Sequence, residues 1–359
     1  MQSLPIPIGW MAWMVAAALW APIAQAQDYV DRYALTANTA TLQFGTQPLS
    51  YPNGVIGAVL RHDRLLRKAL EKLGTPFRPY GFKRGADMLP LIMNDKLDAG
   101  MIGDMPTTIP ASAGMVWIVG LVEVSQNAVI APGGTRMEDL RGKRIGYVPV
   151  STAHSTLLQS LASAGVGVNE VQLVSMNNAD LPAALAHKDI DAFAGWEPAS
   201  SNALQDNPKN RVIFRSESVD YFVIRREFER QHPQAARELV AGYLRAVEWL
   251  RRSPKNQQLA AQWVLQEGEN FSGMPGTMSV DQVVNVTRRG LLNIPSAPVI
   301  VQSPGGQPLK VEFNLLKSLD RLPPNAQWTH VVDSFGYTGM RDVLANPRMY
   351  SLRTFDYDQ

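Results

Sequence analysis

Ser151-Thr152-Ala153-His154-Ser155 is the stretch whose reading decides the fold. It follows an apolar run, Arg144-Ile145-Gly146-Tyr147-Val148, and precedes Leu157, Leu158, Leu161 and Ala164 at the spacing of one helical face. The chain therefore leaves a strand, turns through hydroxyl-bearing residues and enters a helix. Ser or Thr there caps free backbone N–H groups of the first turn. The same N–H groups and the positive end of the helix dipole also suit an anion. On these residues alone a simple cap is the better account, because most capped helices bind nothing. His154 shares the face of Leu157, Leu158 and Leu161, so a packed histidine is the plain reading of that side chain.

The same strand-to-helix alternation extends in both directions. Upstream, strands are expected at Thr41–Thr46, Phe77–Phe82, Ala99–Gly103 and Val116–Val124. Between them lie a long amphipathic helix over Gly54–Leu73 and shorter ones over Asp87–Asn94 and Pro106–Ala113. Downstream the pattern restarts, with strands at Ala128–Ala131, Arg144–Val148, Val171–Val174 and Ile190–Ala194. Helices are expected there at Thr152–Ala164, Asp180–His187 and Glu197–Leu204, followed by strands at Val212–Phe214 and Tyr221–Ile224. After Arg226 the chain turns helical, over Pro233–Arg252, Lys255–Gln266 and Val280–Leu292. This order implies an α/β chain with mostly parallel sheet covered on both faces, built as two lobes joined by hinge strands. Residues 27–125 form the first lobe, 126–220 the second, and 221–299 return to the first. Residues 300–359 form a C-terminal extension of no assigned role.

Composition excludes several classes. The 359 residues are 45% hydrophobic, enough for a sizeable core. Lys plus Arg is 34 and Asp plus Glu 32, scattered along the chain, so no basic face for nucleic acid emerges. The absence of cysteine removes thiol nucleophiles, disulfides and Cys-ligated metals. No His-x-x-x-His pair or acidic cluster points to a metal. Residues 1–26 carry no charged side chain, contain the apolar core Trp10–Trp20, and end in Ala24-Gln25-Ala26. That is the pattern of a secretory leader cleaved after Ala26, although no Lys or Arg precedes the apolar core. The core is short for a span of about 20 residues and Pro22 follows it, which disfavours an uncleaved anchor.

Ligands in open α/β sheets sit outside the carboxyl ends of strands, and the crevice between two lobes is the natural site. Four turns occupy such ends. They carry Gln47; Asp104 and Met105; Ser151, Thr152, His154 and Ser155; and Trp196 and Glu197. Together they offer amides, hydroxyls, a side-chain amide, an aromatic face and two carboxylates, which suits a small anion or zwitterion. Asp104 and Glu197 can equally be compensating helix dipoles, and Trp196 can be a core aromatic. No nucleophile with a partnered base appears: His154 beside Ser151 lacks the Gly-x-Ser-x-Gly elbow. Pro132-Gly133-Gly134-Thr135 lacks the Lys of a phosphate loop. No catalytic residue, metal or cofactor is expected.

Four segments in order carry a resemblance. They are Gly103-Asp104-Met105-Pro106, Asp139-Leu140-Arg141-Gly142-Lys143-Arg144-Ile145-Gly146, the Ser151–Ser155 turn with Leu157-Leu158, and Asp189-Ile190-Asp191-Ala192 to Trp196-Glu197-Pro198. The chain resembles the periplasmic substrate-binding proteins of ABC transporters for taurine, aliphatic sulfonates and nitrate, over roughly Thr41–Leu265. The resemblance implies a type II periplasmic-binding fold and two α/β lobes closing on a solute. It further implies a monomer in the periplasm that delivers an organosulfonate-like anion or zwitterion to an ABC permease. It would set the oxyanion at the Ser151–Ser155 turn, against Gln47, Asp104, Met105 and Trp196. Two readings compete. The fold is similar to pyrimidine-precursor synthases of thiamine metabolism, which depend on a histidine and a cysteine-rich segment that this chain lacks. A ligand-sensing receptor for a signalling partner shares the fold as well.

Overall fold

The computed structural model describes residues 28–37, 39–295, 298 and 307–358. The leader expected over residues 1–26 lies outside them. Among the described residues no helix is long and apolar enough to cross a membrane.

Eight strands form one sheet: β1 (Leu42–Thr46), β2 (Phe77–Gly81), β3 (Ala99–Gly103), β4 (Val116–Pro132), β5 (Arg144–Tyr147), β6 (Gln172–Ser175), β7 (Ala192–Gly195) and β8 (Asn210–Arg225). Their order is β2-β1-β3-β8-β4-β7-β5-β6. Two parallel trios, β2-β1-β3 and β7-β5-β6, are thus the sheets of the two lobes. Between them runs the antiparallel pair β4–β8, registered from Val116↔Arg225 to Pro132↔Asn210. The early half of β4 and the late half of β8 serve the first lobe, where β8 pairs β3 from Ala99↔Ile224 to Gly103↔Asp220. The other halves serve the second, where β4 pairs β7 from Ala128↔Gly195 to Ile130↔Phe193.

Sequence pattern splits each of these strands in two, and the structure joins the pieces. Ser125-Gln126-Asn127 and Arg215-Ser216-Glu217-Ser218 are polar where a buried strand is apolar, so they read as loop. They are instead the middle of a continuous ladder, Ser125↔Ser218 and Asn127↔Ser216 included, where the lobes meet. The expected helix Gly54–Leu73 is also two, Asn53–His62 and Arg64–Lys72. Asp63 breaks it by adopting extended geometry and accepting from Leu66 N as a cap, a local bond that competes with helix continuation.

Each lobe is a sheet between two apolar layers. Alternation along β4 shows how: Ala128 and Ile130 face the layer with Phe193, Leu181 and Leu185, while Val129 and Ala131 face the layer with Ile145, Leu157 and Leu161. The extension packs on the first lobe through helices Lys310–Ser318, Trp328–Ser334 and Gly339–Ala345. Leu309, Phe313 and Leu316 join the layer of Met88, Leu91 and Ile109. The His330 ring meets Ser112 O at 3.0 Å. Farther on, Arg67 holds Asp358 with two bonds of 2.7 Å, and Tyr357 bridges Asp63 and packs on Trp249.

That anchor centres on a buried ion pair. Arg245 Nε donates to Asp63 Oδ2 at 2.9 Å, and its Nη1 donates to Tyr350 O at 2.9 Å. Both side chains are at most 2% exposed. Removing one partner leaves the other charge uncompensated in low dielectric. Arg245→Met is therefore expected to cost about 3–5 kcal/mol, read as a lower urea midpoint. A variant as stable as the parent would show that the pair is dispensable.

Candidate functional site

Helix starts cluster where the parallel strands end. Helix Gly85–Met93 follows β2, Asp104–Ser112 follows β3, Thr152–Ser163 follows β5 and Ala199–Asp206 follows β7. Between the lobes they enclose a cavity of about 30 Å³. That is room for little more than a water or two. Gly103 sets how closely the lobes approach: a Cβ there would meet Thr152 Cγ2 at 2.5 Å. Asp104 ties the lobes at the same seam, its Oδ2 accepting from Val219 N at 3.3 Å.

Part of the cavity lining is rich in donors. Arg84, Gly85 and Ala86 line it at the start of a helix that has no side-chain cap. Arg84 is fixed there by Asp87, with Nε–Oδ1 at 2.9 Å. Gln47, Ser151 and Thr152 complete this part. Gln47 is positioned by donating to Met101 O at 3.2 Å.

The lining also holds two acids. Glu123 on β4 and Asp220 on β8 are directly opposite residues of the antiparallel ladder, and Ser125 and Ser218 are the next pair on that face. Like charges in this relation repel. A register irregularity between Leu121 and Glu123 adjoins the pair, the local device by which a strand re-aims a side chain. Asp220 Oδ2 accepts from Asn53 Nδ2 at 2.5 Å. Glu123 Oε1 accepts from Ser125 Oγ at 2.8 Å, while its Oε2 is buried with no hydrogen-bond partner. Burial, then repulsion from Asp220, pushes the Glu123 carboxyl well up. Burial lifts Asp220 to about 6, opposed by the Asn53 bond. Burial, followed by the nearby Glu312 carboxylate, also raises Asp104.

The sequence-derived residues fare unequally. Gln47, Ser151, Thr152 and Trp196 line the cavity. Ser151 is a helix cap: its Oγ accepts from His154 N at 3.1 Å and donates to Val148 O at 2.7 Å. His154 is packed against Tyr147 at 4.8 Å and accepts from Val150 N at 3.3 Å. Burial, with help from Arg321, drops its pKa to about 4, so it is neutral. Ser155 accepts from Gln159 Nε2 at 2.9 Å and bonds Glu312 of the extension. Neither His154, Ser155, Asp104 nor Met105 is among the cavity's lining residues. Glu197 lines a separate, larger groove and caps a helix start, Oε2 accepting from Ser201 N at 3.1 Å.

Sequence reasoning passed over Arg84, Glu123, Ser125, Ser218 and Asp220. Two of these had a visible signal: an acid inside an apolar strand, in Val122-Glu123-Val124 and in Val219-Asp220-Tyr221. Among the described residues no group of three or more His, Asp or Glu has the geometry to hold a metal.

Comparisons with known proteins fit this architecture. The NMT1/THI5 like family matches residues 80–257. The taurine-binding periplasmic protein of Escherichia coli (strain K12) is 27% identical over 208 residues, which span 52% of this chain and 64% of that protein. The alkanesulfonate-binding protein SsuA from Xanthomonas axonopodis pv. citri, solved with MOPS bound, superposes with a TM-score of 0.60 at 23% identity. It covers 82% of this chain and 99% of its own. The desulfurization enzyme DSZB shares the fold, with a TM-score of 0.53 at 15% identity over 86% of this chain and 99% of its own.

Two outcomes are expected from this geometry. Gly103→Ala places a methyl group against Thr152 and should hold the lobes apart. A larger radius of gyration by small-angle scattering would register it, and an unchanged radius would show that the seam absorbs the methyl. The second concerns pH. With Asp220 raised from 3.8 to about 6, the native state keeps a proton across that window which the unfolded chain has released. Stability then falls as pH rises through the window. Asp220→Asn should flatten that slope in urea titrations, whereas a slope identical to the parent's would assign it elsewhere.

Proposed function

We propose that this chain, a member of the NMT1/THI5 like family, is an exported solute-binding protein that closes on a small zwitterion and delivers it to an ABC permease. The zwitterion carries a sulfonate-type anion at one end and a protonated amine at the other. The observation that supports this reading is the mixed lining of the cavity. Arg84, the Gly85 and Thr152 helix starts and Gln47 line it together with Glu123 and Asp220, and Thr152 and Asp220 come close to one point at Gly103. An anion at the donors meets fixed dipoles and one guanidinium. An ammonium at the acids relieves the repulsion between two buried carboxylates. A plain alkanesulfonate would satisfy half of the cavity. The amine role thus moves from Glu197 to the Glu123–Asp220 pair.

On this reading residues 27–125 and 221–299 make one lobe, 126–220 the other, and 300–359 brace the first. The chain acts as a monomer in the periplasm, its leader removed after Ala26, and a mature mass starting at Gln27 is the check. Catalysis has no place in the scheme. Asp104, Met105, His154 and Ser155 shape and stiffen the lobe seam, while Gln47, Ser151, Thr152 and Trp196 face the ligand.

Calorimetry with taurine, ethanesulfonate and ethylamine tests the proposal. Taurine is expected to bind at least tenfold more tightly than either half-molecule, and at about 100 times its Kd to add about 2.7 kcal/mol of stability. Glu123→Gln should reduce that preference by roughly ten- to a hundredfold, the range for losing one hydrogen bond to a charged group. Ethanesulfonate binding as well as taurine would overturn the zwitterion reading. Failure of all three would overturn the solute class.

A further inference from the structure

The cavity does not end at Glu123. Glu123, Ser125 and Trp196 are walls that it shares with a second, larger space of about 590 Å³. That groove lies between helix Ala199–Asp206 of the second lobe and helix Val280–Leu292, with β4 along its floor. Two side-chain bonds span it from lobe to lobe: Asn202 Nδ2 to Thr277 Oγ1 at 2.8 Å, and Gln282 Nε2 to Gln205 Oε1 at 3.1 Å. Asn293 Nδ2 pins the far helix to Val124 O at 3.1 Å. Its apolar lining comes from Tyr51, Pro52, Leu204, Val286 and Leu292. Leu292 is 70% exposed at its rim, an apolar side chain with no covering group.

From the junction of these two spaces we infer that the ligand is a secondary rather than a primary amine, an aminosulfonate whose nitrogen carries an apolar substituent that lies in the groove. The inference rests on the zwitterion reading above. A space of 590 Å³ falls in the range of small-molecule sites. The stereochemistry agrees. A secondary ammonium has two N–H bonds, and the inner cavity holds two carboxylates, Glu123 and Asp220, of which Glu123 also borders the groove. Glu123, a residue 5% exposed, lines both spaces. With its two N–H bonds on the two acids, the nitrogen directs its remaining bond past Glu123 and Trp196 into the groove. The substituent then touches helices of both lobes, so its burial adds directly to closure.

Calorimetry on the full protein with four probes decides the matter: taurine, N-methyltaurine, N-cyclohexyltaurine and N-methylcyclohexylamine. N-cyclohexyltaurine is expected to bind about ten- to a hundredfold more tightly than taurine, from burial of the ring, with N-methyltaurine between. Val286→Trp, which fills the groove from a half-buried position, should bring N-cyclohexyltaurine down to the affinity of taurine and leave taurine unchanged. Leu292→Asp, at an exposed rim position, should weaken only the ring-bearing probe. Taurine binding as tightly as N-cyclohexyltaurine, or the ring's advantage surviving both variants, would overturn the inference and leave the zwitterion reading standing. Binding of N-methylcyclohexylamine as tight as that of N-cyclohexyltaurine would overturn the sulfonate and keep the groove. Silence from all four probes would overturn both.

Discussion

Two carboxylates face each other across the pair of strands that both lobes share, and the rest of the molecule is arranged around that tension. Glu123 and Asp220 are opposite residues in an antiparallel ladder, buried, and both pushed toward the protonated form. A scaffold selected only for stability would place apolar or oppositely charged residues there, since like charges opposite each other cost a few tenths to about 1 kcal/mol and burial costs more. The cost is tolerated because the ladder is long: β4 and β8 stay paired from Val116↔Arg225 to Pro132↔Asn210, and the acids interrupt neither strand. Asn53 adds a direct support by donating to Asp220 from the start of the first helix after β1.

The second consequence of the shared strands is geometric. Because β4 and β8 belong to both lobes, the lobes meet at the middle of one ladder, at Ser125-Gln126-Asn127 and Ser216-Glu217-Ser218. Polar residues there leave the segment without a large apolar anchor to either lobe. The seam itself depends on small groups instead, Gly103 against Thr152. The extension adds weight to the first lobe only, and through Glu312 it reaches Ser155 at the seam.

Much of this was legible in the sequence where periodicity is strong. The parallel trios, the helix at Thr152 and the helices over Pro233–Arg252 and Val280–Leu292 announce themselves because each buries a regular apolar stripe. The continuity of β4 and β8 was not legible, because a strand crossing between two lobes has no core beneath its middle and so keeps polar residues there. The site was half legible. Turns at strand ends reveal Gln47, Ser151, Thr152 and Trp196, since their residue types are unusual for the backbone they occupy. Arg84 and the two strand acids are revealed only by tertiary pairing. Asp104 and Glu197 follow the alternative that an acid at a helix start leaves open: each engages backbone N–H groups, at Met105 and Val219 for the one and Ser201 for the other.

Ser151 shows why a cap and an anion site need not be alternatives. Its hydroxyl is committed at both ends, accepting from His154 N and donating to Val148 O. A side chain so engaged has little to offer a ligand directly. Yet by satisfying one N–H of the first turn it fixes the turn's geometry, and the remaining N–H groups keep their direction toward the cavity. The anion would then be met by a rigid array of dipoles in a narrow space between the lobes, where their effect is larger than in open solvent. The stretch from Val148 to Ala186 contains no Lys or Arg, so this lobe contributes no mobile charge to that end. The lobes thus divide the work by rigidity. The second offers fixed amides at Thr152, the first a guanidinium clamped by Asp87, and the strands common to both hold two acids whose repulsion a proton or a positively charged group relieves.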